Sequence, residues 1–172
     1  MSGDELVDVV DDQDRVTHQV TRSEIRRGNL RHRSVYILVF NSDGRLFIHQ
    51  RTANKDVFPG YWDVTIGGVV QAGEEYNAAA RRELQEELGI HPSALRRLFS
   101  MRYDDPANRV AGVVYSCTWD GVVQLQESEI VCGEWIDLDV LLERTQRDRF
   151  CPDGLEALRL YLAKLDAARA RR

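Results

Sequence analysis

Residues 34–40 carry almost no polar interruption, the pattern of a strand buried on both faces. Shorter β-rich runs at 6–10 and 16–20 flank the acidic turn 11–14, so residues of about 5–21 read as a hairpin. A short helix is expected over 21–27, capped by Thr21 or Ser23 and ended by Gly28. The turn 41–44 hands the chain to a strand at 45–51, and a brief strand at 63–66 feeds Gly67 and Gly68. An amphipathic helix follows from about 75 to 88 and stops at Gly89. Further strands are expected at 100–103, 109–119 and 131–136, with a turn at 104–108. Two helices close the chain. The first runs from Asp137 to about Thr145 and the second covers about 153–170. Leu155, Leu158, Tyr161, Leu162 and Leu165 share one face of the last helix, suited to docking or to a dimer contact. Residues 169–172 read as a frayed, solvated tail. With no repeat, linker or low-complexity tract, residues 1–172 read as one domain.

The helix at 75–88 carries Glu83, Glu86 and Glu87 at i, i+3 and i+4, within one arc roughly 100° wide. Ala80, Leu84 and Leu88 form the adjoining apolar stripe. Like charges at that spacing destabilise a helix by a few tenths of a kcal/mol per pair. Plain solvation answers that cost, and so does a bound divalent cation with its preference for hard oxygen ligands. A glycine-rich loop, Gly67, Gly68 and Gly73, precedes the helix. Arg51 and Lys55, in the loop 51–62, are either solvated or placed for phosphate. Phe58, Tyr61 and Trp62 in that loop are expected to pack against the sheet.

Composition narrows the classes. A hydrophobic share of 43% and a net charge of −5 suit a soluble globular protein and argue against a nucleic-acid partner. No apolar run approaches membrane-spanning length, and the acidic N-terminus lacks the order of a secretion signal. Cys117, Cys132 and Cys151 lack metal-type spacing and read as reduced core thiols of a cytoplasmic protein.

Gly68, Glu74, Arg82, Glu83, Leu84, Glu86, Glu87, Gly89 and Ile90 fit the pattern G-x5-E-x7-R-E-U-x-E-E-x-G-U, where U is a bulky aliphatic. Residues 68–90 therefore resemble the box of the Nudix hydrolases. The resemblance implies an α/β/α sandwich of the α/β (α+β) class, a mixed sheet between helices with the box as a loop–helix–loop. It implies Mg²⁺ or Mn²⁺ held by the backbone carbonyl of Gly67 and by the catalytic Glu83, Glu86 and Glu87. Glu74 and Arg82 would lock loop to helix, with Gly68 and Gly89 as structural support. The implied reaction is attack of water on a small-molecule diphosphate, such as a nucleoside diphosphate derivative, whose charge Arg51 and Lys55 would contact. The base is left open among Glu83, Glu86 and a carboxylate of the 126–129 loop. Glu127, Glu129 and Glu134 themselves read as surface residues.

Outside the box, Leu30, Arg31, His32, Arg33, Phe40, Asn41, Gly44, Gln50, Arg51, Lys55 and residues 58–63 resemble type 1 isopentenyl-diphosphate isomerase and its hydrolase relatives. The isomerase's cysteine position is Gly67 here, a nearby histidine position is Val69, and its later glutamates fall at Ala107 and Arg109. Of its metal histidines only His32 remains, otherwise an ordinary strand-edge residue. The isomerase acid–base pair is therefore missing, while the hydrolase carboxylates are kept. A Nudix fold that senses a nucleotide without turnover is the other alternative. Pro106 reads as a turn proline. The family resemblance makes a homodimer an expectation.

Overall fold

The computed structural model describes residues 4–171, so the readings of Met1, Ser2, Gly3 and Arg172 lie outside the described residues. The order is β1 (Leu6–Val10), β2 (Val16–Thr21), α1 (Arg22–Gly28), β3 (His32–Phe40), β4 (Leu46–Arg51), β5 (Trp62–Asp63), β6 (Ile66–Val69), α2 (Tyr76–Leu88), β7 (Arg96–Asp104), β8 (Arg109–Thr118), β9 (Ile130–Ile136), α3 (Leu138–Arg144) and α4 (Pro152–Arg169).

Strand β3 is the centre. It runs parallel to β8 from His32↔Val110 to Phe40↔Thr118. On its other edge it pairs antiparallel with β6. Its side chains alternate between two cores, which is why it reads as a continuous apolar run. Val35, Ile37 and Val39 join Ala79, Ala80, Leu84 and Leu88 of α2 in one core. Tyr36 and Leu38 join Leu141 of α3 and Ala157 and Leu158 of α4 in the other. The result is the expected sandwich, with a mixed sheet between helical layers. β4 carries a second limb, with β5 and β9 on its edges.

The face of α4 formed by Leu155, Leu158, Tyr161 and Leu162 docks onto the second core, and Tyr161 meets the Phe40 ring at 5.7 Å. Helix α1 begins at a capping box between Thr21 and Glu24. It ends one residue later than expected, on Asn29 in the left-handed conformation rather than on Gly28. Among the described residues no helix is long and apolar enough to cross a membrane.

The N-terminal hairpin braces the segment that leads into α2. Val7 and Val9 pack with Ile25 and Val69. The Ala72 N–H donates to the Leu6 carbonyl, and the Gly73 N–H donates to the Asp8 carboxylate at 3.0 Å.

Candidate functional site

Helix α2 stops at Gly89, whose φ of 64° is the left-handed cap that glycine accepts without strain. At its other end Gly73, φ 75°, is the turn glycine of the approach. Gly67 and Gly68 differ from expectation: they are not a bent loop but residues of β6, paired with Tyr36 and Val35. Their reason is close approach. A Cβ on Gly67 would lie 1.9 Å from the Val35 carbonyl oxygen, and one on Gly68 would lie 2.6 Å from Glu83 Oε1. The Val70 N–H donates to the Arg33 carbonyl. Antiparallel bonding alternates, so Gly67 in the Tyr36↔Gly67 pair turns its own carbonyl to the unpaired edge of β6.

Two substitutions separate these roles. Gly67→Ala strikes backbone and is expected to give no stably folded chain by circular dichroism. Gly68→Ala strikes the end of a side chain, so the chain should fold while losing about 10–100-fold in activity as Glu83 is displaced.

The three helix glutamates part company. Glu83 and Glu87 are 0% and 1% exposed, and Oε2 of each is buried without a hydrogen-bond partner. Glu86 stays exposed at the rim. The solvated reading thus fails for two of the three. Arg82 gathers the outer group: its guanidinium meets Glu74 twice at 3.0 Å, Glu83 at 2.7 Å and Glu86 at 3.2 Å. It also donates to the Val69 carbonyl, so one side chain ties strand, loop and helix together. Arg82→Ala would leave three carboxylates without that counter-charge. The expected cost is about 3 kcal/mol of unfolding free energy, read by urea denaturation.

Lys55 gathers the inner group. Its ammonium lies 3.4 Å from Glu87 Oε1 and also bridges to Glu129. Glu129 is therefore drawn into the cluster beside the largely buried Lys55, contrary to its surface reading. Burial raises the Glu83 carboxyl to about 7 against the pull of Arg82, with Glu86 and Glu129 adding repulsion. Burial raises Glu87 to about 8 against the pull of Lys55. Glu129 is also pushed up by burial, but its hydrogen bond to Lys55 and that cation's charge outweigh this and hold it below the usual range.

Hard oxygen donors with two orphaned atoms fit a divalent cation. Among the described residues no three acidic, histidine or cysteine side chains are already drawn around one point.

Beside this cluster lies a cavity of about 60 Å³, lined in part by Gly67, Gly68 and Lys55. Arg22 and Arg26 of α1, both tied to Asp56, line it as well. So does Arg51, which donates to the Val57 carbonyl at 2.9 Å and keeps a buried Nε without an acceptor. Four cations thus face one space.

The family model described as NUDIX domain matches residues 30–158. The chain belongs to the Nudix family. It is 45% identical over 158 residues to a Nudix hydrolase of Pseudomonas aeruginosa, covering 92% of this chain and 94% of that one. It is 38% identical over 164 residues to the Nudix hydrolase YfcD of Escherichia coli, covering 95% and 90%. The crystal structure of DR0079 from Deinococcus radiodurans is similar at a TM-score of 0.79 and 32% identity, covering 91% of this chain and 99% of that one. The Nudix pyrophosphohydrolase class follows, and members of the family generally use divalent ions such as Mg²⁺ or Mn²⁺.

Three other sequence readings change in this Nudix chain. Cys132 is exposed, whereas Cys117 and Cys151 are buried as expected. His32 is not an ordinary edge residue but is 1% exposed and lines the cavity. Asp63 and Asp153, given no site role in the sequence, sit buried on the same cavity wall.

Proposed function

We propose that the chain is a divalent-cation-dependent pyrophosphohydrolase of small organic diphosphates. The observation that carries this reading is the pair of orphaned, fully buried oxygens on Glu83 and Glu87, one helical turn apart. Burying unpaired carboxylates is expensive, and a cation that coordinates them removes the expense. Glu83, Glu86 and Glu87 would hold the ion, with the edge carbonyl of Gly67 as a further ligand. When bound, it supplies charge neutralisation at the phosphates and polarisation of phosphorus.

The chain's own residues do the rest. Arg51, with its unused Nε–H, and Lys55 bind the diphosphate oxygens; the strand and helix fix the carboxylates beside them. Water attacks phosphorus, the P–O–P bridge breaks, and a carboxylate of the cluster takes the proton. Glu74 and Arg82 keep loop and helix in register and touch no substrate.

The likeness to isopentenyl-diphosphate isomerase does not extend to its chemistry in this reading. The cavity wall carries Gly67 and Val69 where that enzyme's cysteine and a histidine would be sought, and its later glutamates fall at Ala107 and Arg109. The one thiol lining it, Cys151, is pushed far above the ordinary range by burial and by Asp63, the reverse of an activated cysteine.

The test is a screen of phosphate and pyrophosphate release over nucleoside di- and triphosphates, nucleotide sugars and prenyl diphosphates, with Mg²⁺ and with Mn²⁺. Cation-dependent release that Glu86→Gln removes supports the proposal. Binding without release would make the chain a sensor, and double-bond migration in isopentenyl diphosphate would restore the isomerase.

A further inference from the structure

His49 is a buried polar side chain that neither the fold nor the reaction has used. It is 1% exposed, and among the described residues neither of its ring nitrogens has a hydrogen-bond partner. The other buried histidine, His32, sets its Nδ1 2.9 Å from the Leu30 carbonyl. Burial, then the charges of Arg51 and Lys55, lower the His49 pKa to about 3, so the ring is neutral. A neutral imidazole carries one N–H and one lone pair, and leaving both unmet in the interior is costly.

Its position shows what it serves. Phe47, His49 and Arg51 alternate onto one face of β4. Phe47 packs in the core beneath α2 and Arg51 lines the cavity, so His49 stands where core and cavity meet. Its cross-strand neighbours are Gly133, which has no side chain, and Asp63, whose carboxylate turns to Thr65 and Arg51. Arg51 and Lys55, the cations whose charge reaches the His49 ring, also act on Glu87. Gln126 bridges the same elements: its N–H donates to the Glu87 carbonyl at 3.0 Å, and its carbonyl accepts from the N–H of Ile130, the β9 residue opposite Arg51. Gln126 Oε1, Glu87 Oε2 and Arg51 Nε are each buried without a partner, like the His49 nitrogens. Unmet donors and unmet acceptors are thus gathered where β4, β9 and the end of α2 come together. A single internal water, which takes two to four polar partners, spans such a set.

We propose that His49 is a positioning residue for the cation site, holding Glu87 Oε2 through one internal water and so fixing the bearing of that carboxylate. The inference rests on the reading of Glu87 as a cation ligand and adds the residue that orients it. A partner that orients a ligating side chain changes cation affinity or activity by about 10–100-fold without touching substrate. Phosphate binding stays with Arg51 and Lys55, so the loss should fall on kcat and not on KM.

The experiment titrates the full chain with Mn²⁺ by calorimetry, without substrate, as wild type, His49→Leu and His49→Gln. His49→Leu replaces an unmet polar ring by an apolar side chain, so the metal-free variant should melt no lower than wild type. Its Mn²⁺ affinity should nevertheless fall about 10–100-fold. On a diphosphate that wild type hydrolyses, kcat should fall as well, with KM changed by less than about threefold. His49→Gln keeps a donor and an acceptor and should bind Mn²⁺ within about threefold of wild type. If His49→Leu fails to fold, nitrogen NMR of the unaltered protein decides: the His49 ring resonances should move on Mg²⁺ saturation together with the α2 amides. Unchanged Mn²⁺ affinity in His49→Leu, or ring resonances that stay still while the α2 amides move, overturns the positioning role and leaves the hydrolase standing. His49→Gln binding no better than His49→Leu marks a packing role and overturns it too. Wild type that binds no Mn²⁺ removes the cation site and this inference together.

Discussion

Glu87→Gln is expected to lower kcat by about a hundredfold or more while raising the melting temperature of the metal-free protein. The two effects share one cause. Glu87 sits wholly buried with Oε2 unpaired, and burial has raised its carboxyl from 4.5 to about 8. An acid whose folded pKa exceeds its unfolded one gives up its proton more readily in the unfolded chain. Stability is then full below about 4.5 and is lost as pH rises towards 8. Glu83, raised to about 7, adds to the loss in the same window. A neutral glutamine escapes it, and Lys55 still has Glu129 as counter-charge. The expected gain is roughly 2 kcal/mol at pH 9, or about 4–8 °C in melting temperature. At pH 5 the wild type and variant should nearly coincide. Removing one charge-stabilising group aimed at the reacting centre costs about 10²–10³ in kcat, which sets the activity side. A variant that keeps most of its turnover, or melts below wild type at pH 9, would contradict the assignment of Glu87.

How much of this was legible beforehand divides along sequence separation. The box helix and its carboxylate spacing are local, set by a 3.6-residue period, and the structure places α2 within a residue of the expected start. The sandwich was implied by the likeness to the Nudix box, and the unbroken apolar run of β3 agreed with it as a strand covered on both faces. Glu129 was not legible, because a glutamate in a polar loop reads as solvent-facing until Lys55, 74 residues earlier, is brought beside it. Asp63 and Asp153 were missed for the same reason: the Tyr36–Asp153 bond spans 117 residues. The glycine pair was misread in a different way. Glycine weakens a strand on propensity alone, so Gly67 and Gly68 looked like loop. What they avoid, a carbonyl at 1.9 Å and a carboxylate at 2.6 Å, exists only in the folded chain. Strand β7 began earlier than expected because Arg96 and Arg97 look polar but pair across to β8.

The second large effect concerns Lys55. In the metal-free protein its ammonium contacts both Glu87 and Glu129, which places it where it offsets their repulsion. Lys55→Met keeps the aliphatic stem and removes the charge, leaving two buried or half-buried carboxylates facing each other. Breaking a buried pair in this way costs about 3–5 kcal/mol, because the remaining charges stay desolvated. A drop of roughly 10 °C in melting temperature is expected without divalent ions at pH 8. Millimolar Mn²⁺ should return most of that loss, since a cation bound by the folded state stabilises it by mass action. The restored protein should still hydrolyse its diphosphate poorly, with KM raised, because Lys55 also faces the cavity that receives the phosphates. The recovery is what distinguishes a cation site from an ordinary structural salt bridge. If Mn²⁺ leaves the Lys55→Met melting temperature unmoved while stabilising wild type, the carboxylates beside Lys55 are not where the ion binds.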